Sequence, residues 1–161
     1  MNSRSVRFCA ALIIAITPWL VTAQTASTAV AVPYQPSLSD LMNIGVQPRH
    51  IKLWLAGKEQ NWTYAAYELD ELRNAFARVG RTVPVYRTLD MPLVLNAFMQ
   101  KPLDDMSAAI KSQDAKAYTA AYRLLTNQCN ACHQGSEHSM VVVKVPDAGA
   151  YVDQDFTGKA K

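Results

Sequence analysis

The sequence predicts an all-α fold, an antiparallel four-helix bundle, on three observations. Its 161 residues suit one domain, and 50% apolar with 18% charged is an ordinary globular composition. Six glycines and eight prolines are too few for a chain that turns every ten residues. Stretches rich in Ala, Leu, Met, Gln and Lys carry apolar residues three and four apart, which is the helical period.

The elements follow in order. Residues 24–38, rich in Ala, Thr, Ser and Pro, read as a flexible leader. A first helix over about 39–56 is capped at Ser39 or Asp40, is broken or reopened at Pro48, and stops at Gly57. A second helix starts at an Asn61 cap, carries Trp62, Ala65, Leu69, Leu72, Phe76 and Val79 on one stripe, and stops at Gly80. Residues 80–89 form the longest internal connection. A third helix runs from an Asp90 cap to about Lys111 with Leu95, Met99, Met106 and Ile110 inward, and Pro102 kinks or splits it. After a turn at Ser112-Gln113, a fourth helix starts at Asp114, with the stripe Tyr118, Tyr122, Leu125, Cys129, Cys132. Beyond His138 a short extended tail, 139–161, is expected. The domain itself spans 39–161.

The first 23 residues read as a signal peptide. Arg4 and Arg7 precede an apolar run from Phe8 to Val21, and Val21-Thr22-Ala23 is a small-residue cleavage pattern. Thr17 and Pro18 interrupt a run already shorter than the ~20 residues a membrane span needs. Export to the periplasm with cleavage before Gln24 is the expectation, with no membrane span afterwards. Cys9 leaves with the signal, so the mature chain keeps Cys129 and Cys132. The charge of +3, from 16 cations and 13 anions, loses Arg4 and Arg7 and becomes +1. A nearly balanced chain has no counterion-release drive towards nucleic acid.

Two thiols in an exported protein invite a disulfide. A bridge across two residues within a helix closes a very short loop and removes little chain entropy. Cys129-Asn130-Ala131-Cys132-His133 is instead C-x-x-C-H, the attachment signature of c-type haem. Residues three and four apart share a helix face, so both thiols can add to the vinyl groups of one porphyrin while His133 presents its ring to the iron. Zinc held by Cys129, Cys132, His133 and His138 would need ligand pairs further apart. A thioredoxin-like pair would need a βαβ context.

With these residues the chain resembles the class II c-type cytochromes, the cytochrome c prime group. That resemblance implies an exported four-helix bundle with the motif on its last helix, Cys129 and Cys132 as the thioether attachments of one haem c, and His133 as the proximal iron ligand. Two features depart from it. The chain continues for 28 residues past His133, and the first helical hairpin is expected to be short.

The other face of the iron decides between electron transfer and gas binding. His50 is the leading candidate for a distal ligand. His138 is too close in sequence to cross the porphyrin. Met42, Met99, Met106 and Met140 are more often core filler, and Leu53 or Trp54 would cover an open iron. Arg49, and less so Lys52, are candidate propionate partners. Tyr118, Tyr122 and Trp54 are expected to wall the haem, and Glu68, Asp70, Glu71 and Arg73 to be surface charge. The expected function is a monohaem cytochrome that passes single electrons to and from periplasmic redox proteins, and not an enzyme. The alternative is a gas-binding or gas-sensing protein with diatomic ligands; a peroxidase-like enzyme would lack a distal acid-base pair beyond His50. A homodimer is an assembly open to such a bundle.

Overall fold

The computed structural model describes residues 33–147, 156 and 157. The expected signal peptide, most of the leader, and residues 148–155 and 158–161 of the tail lie outside the described residues. The chain divides into Met1–Pro33 and Tyr34–Lys161, and the second unit is described below. It is mostly helical, with four helices packed against one another and a small two-stranded sheet.

The first helix is continuous through three segments: α1 (Leu38–Asp40), a π-helical turn (Leu41–Val46) and α2 (Gln47–Lys58). It starts earlier than expected, at a reciprocal cap. Ser37 Oγ accepts from the Asp40 amide at 3.1 Å, and Asp40 Oδ2 accepts from the Ser37 amide at 2.8 Å. The Tyr34 hydroxyl donates to the same carboxylate at 2.7 Å, tying the end of the leader to the helix. Pro48 does not break the helix; it stands in the first turn of α2, which it opens after the π turn. Its ring would collide with the carbonyl of Ile44 in a regular α-helix. The wider π turn holds Ile44 and accommodates the ring.

Helix α3 (Trp62–Thr82) is capped by Asn61, whose side chain accepts from the Tyr64 amide at 3.1 Å. Ala65, Leu69, Leu72, Phe76 and Val79 are buried as the stripe predicts. A hairpin of β1 (Val85–Tyr86) and β2 (Leu89–Asp90) occupies the expected long connection, pairing Val85 with Asp90 and Tyr86 with Leu89. Helix α4 (Met91–Ser112) is capped by Asp90, which accepts from the Leu93 amide at 3.0 Å. It runs unsplit through the buried Pro102. Helix α5 (Ala115–Gly135) is capped by Asp114, which accepts from the amides of Lys116 and Ala117.

Gly57 and Gly80, expected as helix stops, lie inside helices that run on to Lys58 and Thr82. Gly57 serves close packing, since a Cβ there would overlap the Tyr118 ring, whereas a Cβ on Gly80 would meet Pro92 at an ordinary 3.5 Å. The stops are elsewhere. Gln60, Gln113 and Glu137 hold left-handed φ values of 56, 54 and 61°. Beside each, the following amide bonds the carbonyl five residues back: Asn61 to Ala56, Asp114 to Ala109, and His138 to His133. These are Schellman caps built without glycine.

Neighbouring helices pack in sequence, α2 on α3, α3 on α4 and α4 on α5, and α5 also touches α2. The core contains Leu53, Leu72, Val79, Met106, Tyr118, Tyr122 and Leu125, each under 2% exposed. At the far end of the chain, Phe156 is buried too. Asn61 Nδ2 donates to its carbonyl at 3.1 Å, and Tyr64 stacks on its ring. No helix among the described residues is long and apolar enough to cross a membrane.

Candidate functional site

Cys129, Cys132 and His133 lie on one face of α5 and line a cavity of about 440 Å³. That volume is in the range of small-molecule and cofactor sites, about 300–1,000 Å³. The first helix supplies Met42, Val46, His50 and Ile51 to the opposite wall; α3 adds Phe76, and α4 adds Leu95 and Met99. Met42, Val46 and His50 are four residues apart, so the π turn and the start of α2 present one continuous face. The remaining wall is the extended segment 141–147.

This segment is a strap that returns along α5. The Schellman cap at Glu137 reverses the chain, and Arg87 from the hairpin pairs with the Glu137 carboxylate. Two side chains of the C-x-x-C-H stretch then hold the strap's backbone. Asn130 Nδ2 donates to the Val143 carbonyl at 2.8 Å, and Asn130 Oδ1 accepts from the Val143 amide at 2.7 Å. His133 Nδ1 lies 2.7 Å from the Val141 carbonyl. A carbonyl only accepts, so Nδ1 carries the proton and Nε2, across the ring, keeps its lone pair.

The two cysteines stand as free thiols. Burial pushes Cys129 up to about 12, with the neighbouring Cys132 adding to it, and burial raises Cys132 as well. A thioredoxin-like pair needs the opposite, a thiolate favoured near neutrality. His138 does not join the cysteines. Its Nδ1 donates to the Ser136 carbonyl at 2.7 Å, and its Nε2 accepts from the Tyr86 hydroxyl at 3.2 Å. Among the described residues no three His, Cys, Asp or Glu side chains converge as a metal cluster, so the four ligands of the zinc alternative do not come together. Two thiols and an imidazole at i, i+3 and i+4, opening on a mostly apolar cavity, are a donor set that fits a covalently attached haem.

The structure places the other expected residues differently. His50 lines the cavity but is only 4% exposed, and both ring nitrogens are engaged from α5. Thr126 Oγ1 lies 3.0 Å from Nε2, and the Tyr122 hydroxyl lies 3.0 Å from Nδ1 while donating to the His50 carbonyl at 2.7 Å. Burial lowers its pKa from 6.5 to about 4, so the ring is neutral. Ligation of iron by His50 would have to displace Thr126 or Tyr122.

Tyr118, Tyr122 and Trp54 do not wall the cavity. They form an aromatic array behind His50, with Tyr122 centred 4.7 Å from His50 and 4.8 Å from Trp54. Leu53 is fully buried elsewhere, and its carbonyl accepts from the Tyr118 hydroxyl. Met99 and Met42 reach the cavity; Met106 is core, and Met140 is exposed.

Arg49 and Lys52 are absent from the cavity wall. Arg49 pairs with Glu68 at 3.9 Å and Glu71 at 3.6 Å on α3. Glu68 is not surface charge: it is 1% exposed, and burial raises its pKa, opposed by the Tyr64 hydrogen bond and then by Arg49 and Lys52. Its apolar-facing position was hidden because a carboxylate on a helix otherwise rich in charge reads as solvated. The cation that does line the cavity is Lys144 on the strap, paired with Asp147 at 2.8 Å. Nothing in the sequence beyond the valine run pointed to the strap as a wall.

No protein-family model, curated protein or solved structure matches this chain.

Proposed function

We propose that this chain is an exported monohaem c-type cytochrome, of the class II kind its motif resembles, that carries single electrons between periplasmic redox proteins. The observation that carries the proposal is the shared placement of Cys129, Cys132 and His133 on the wall of one cofactor-sized apolar cavity. The haem, when bound, supplies a one-electron iron couple. Cys129 and Cys132 hold it through thioether bonds, and His133 offers Nε2 while Nδ1 is kept by the Val141 carbonyl. Val46, Ile51, Phe76 and Leu95 exclude water from the opposite side, which favours rapid electron exchange by limiting solvent reorganisation. Lys144 takes over from Arg49 as the candidate partner of a propionate.

A second reading is gas binding at an open distal position. It is favoured by the engagement of both His50 ring nitrogens, and it is opposed by the thioethers of Met42 and Met99 in the same wall.

The test is a variant series expressed in a host that exports and attaches c-type haem. Cys129→Ala and Cys132→Ala should each leave one vinyl group intact, seen as a shift of the alkaline pyridine spectrum. His133→Ala should keep both bonds and change the iron spectrum. Carbon monoxide then separates the readings: slow binding to a low-spin ferrous protein supports the electron carrier, and immediate binding to a five-coordinate one supports the gas binder.

A further inference from the structure

Asn130 occupies the first of the two spacer positions in C-x-x-C-H, where the attachment chemistry asks for no particular side chain. Here its amide does what a neighbouring β-strand would do. It gives an N–H to the Val143 carbonyl at 2.8 Å and takes the Val143 amide at 2.7 Å, so one side chain satisfies both backbone groups of one strap residue. Two residues upstream on the strap, Val141 places its carbonyl 2.7 Å from His133 Nδ1. The Val141 amide bonds the His138 carbonyl at 2.8 Å, and the His138 amide bonds the His133 carbonyl at 2.7 Å. The short path from His133 to Val141 is thus closed at both ends: at its start by the Schellman cap, and beyond its end by Asn130.

We infer that Asn130 is a positioning residue for His133: by clamping Val143 it fixes the Val141 carbonyl as the acceptor of His133 Nδ1–H. This rests on the haem reading above. A hydrogen-bond acceptor on the far nitrogen of a ligating imidazole fixes its tautomer and ring orientation and raises its basicity. A more basic ligand favours the ferric over the ferrous state. Val145 packs the far part of the strap on the core, but Val141 and Val142, 49% and 75% exposed, have little packing of their own to keep this stretch in place without the clamp. The carbonyl would then be free to leave the imidazole to water.

The experiment compares the wild-type haem protein with Asn130→Ala, Asn130→Asp and Val143→Pro. Asp keeps the acceptor for the Val143 amide and loses the donor. Pro removes the same amide from the strap side without touching helix α5. The readouts are the midpoint potential and amide hydrogen exchange at Val143. In the wild type this amide should be protected. In Asn130→Ala and Val143→Pro the ferrous state should gain about tenfold relative to the ferric, an upward shift of about 59 mV for one electron, with Asn130→Asp between them and the wild type. Exchange at Val143 should speed up in Asn130→Ala.

Val143→Pro keeps the test valid even if Asn130→Ala folds poorly. A haem-bearing wild type whose variants keep its potential within error overturns the positioning role alone. A Val143 amide that exchanges freely in the wild type overturns the clamp. A wild type with no covalent haem overturns the reading beneath both.

Discussion

Thr126 Oγ1 and His50 Nε2 meet at 3.0 Å across the interface of α5 and α2, and both residues are less than 5% exposed. A buried polar atom that loses its only partner costs the full desolvation of that atom. Thr126→Val keeps the shape and removes the hydroxyl, so it should destabilise the protein by about 1–3 kcal/mol, read as a lower urea midpoint at unchanged slope. An unchanged midpoint would mean that Nε2 has another partner in solution.

The same histidine sets a pH dependence. Its folded pKa of about 4 lies below the unfolded value of 6.5. Between these values the unfolded chain binds a proton that folded His50 refuses. Stability therefore falls as pH drops through about 6.5 to 4, by up to about 3 kcal/mol across the window. It levels off below. Urea midpoints at pH 7, 5.5 and 4.5 measure the slope, and His50→Asn should remove most of it.

Glu68 works in the opposite sense. Burial raises its folded pKa above the unfolded one, so its ionisation detracts from stability as pH rises through the interval above the unfolded value. Arg49, 3.9 Å away and shared with Glu71, repays only part of that cost. Glu68→Gln should stabilise the protein at pH 7 by about 1 kcal/mol and have little effect at pH 4. Thermal melts of the variant and wild type at both pH values give the comparison.

Two glycines of the first helix should respond differently to the same change. Gly57→Ala would drive a methyl group into the Tyr118 ring and disturb its bond to the Leu53 carbonyl, at a cost of about 1–3 kcal/mol. Gly45→Ala meets Ala75 at an ordinary 3.9 Å and gains helix propensity, so it should be neutral or stabilising by up to about 1 kcal/mol. Denaturation curves of the pair decide it.

Three helix starts were legible, while the start of the first helix and the stops placed at Gly57 and Gly80 were not, for a physical reason. Asn61, Asp90 and Asp114 cap with their own side chains, so the residue type reveals the role. The Schellman caps at Gln60 and Glu137 are backbone bonds around a left-handed residue whose type does not announce them, whereas the turn at Ser112-Gln113 was legible between two helical stripes. Gly57 and Gly80 drew the stop signal to themselves, although both lie inside their helices and Gly57 is required by the Tyr118 ring.

At the site, the motif residues Cys129, Cys132 and His133 were readable from spacing alone. The opposite wall was legible in part: His50, Met42 and Met99 line it as candidates, while Leu53 and Trp54 do not. Met42, Val46 and His50, four residues apart, run from the π turn into α2 on one face. The strap escaped notice because its hold on α5 depends on Asn130, a spacer residue in the motif.

Intact mass after acid-acetone extraction tests the covalent haem most directly. The chain, produced in a host able to export it and attach c-type haem, should keep its colour in the protein pellet and weigh one haem more than its mature sequence, with that increment lost in a Cys129→Ala, Cys132→Ala double variant. Colour passing wholly into the solvent, or a wild-type mass equal to the bare chain, would contradict it.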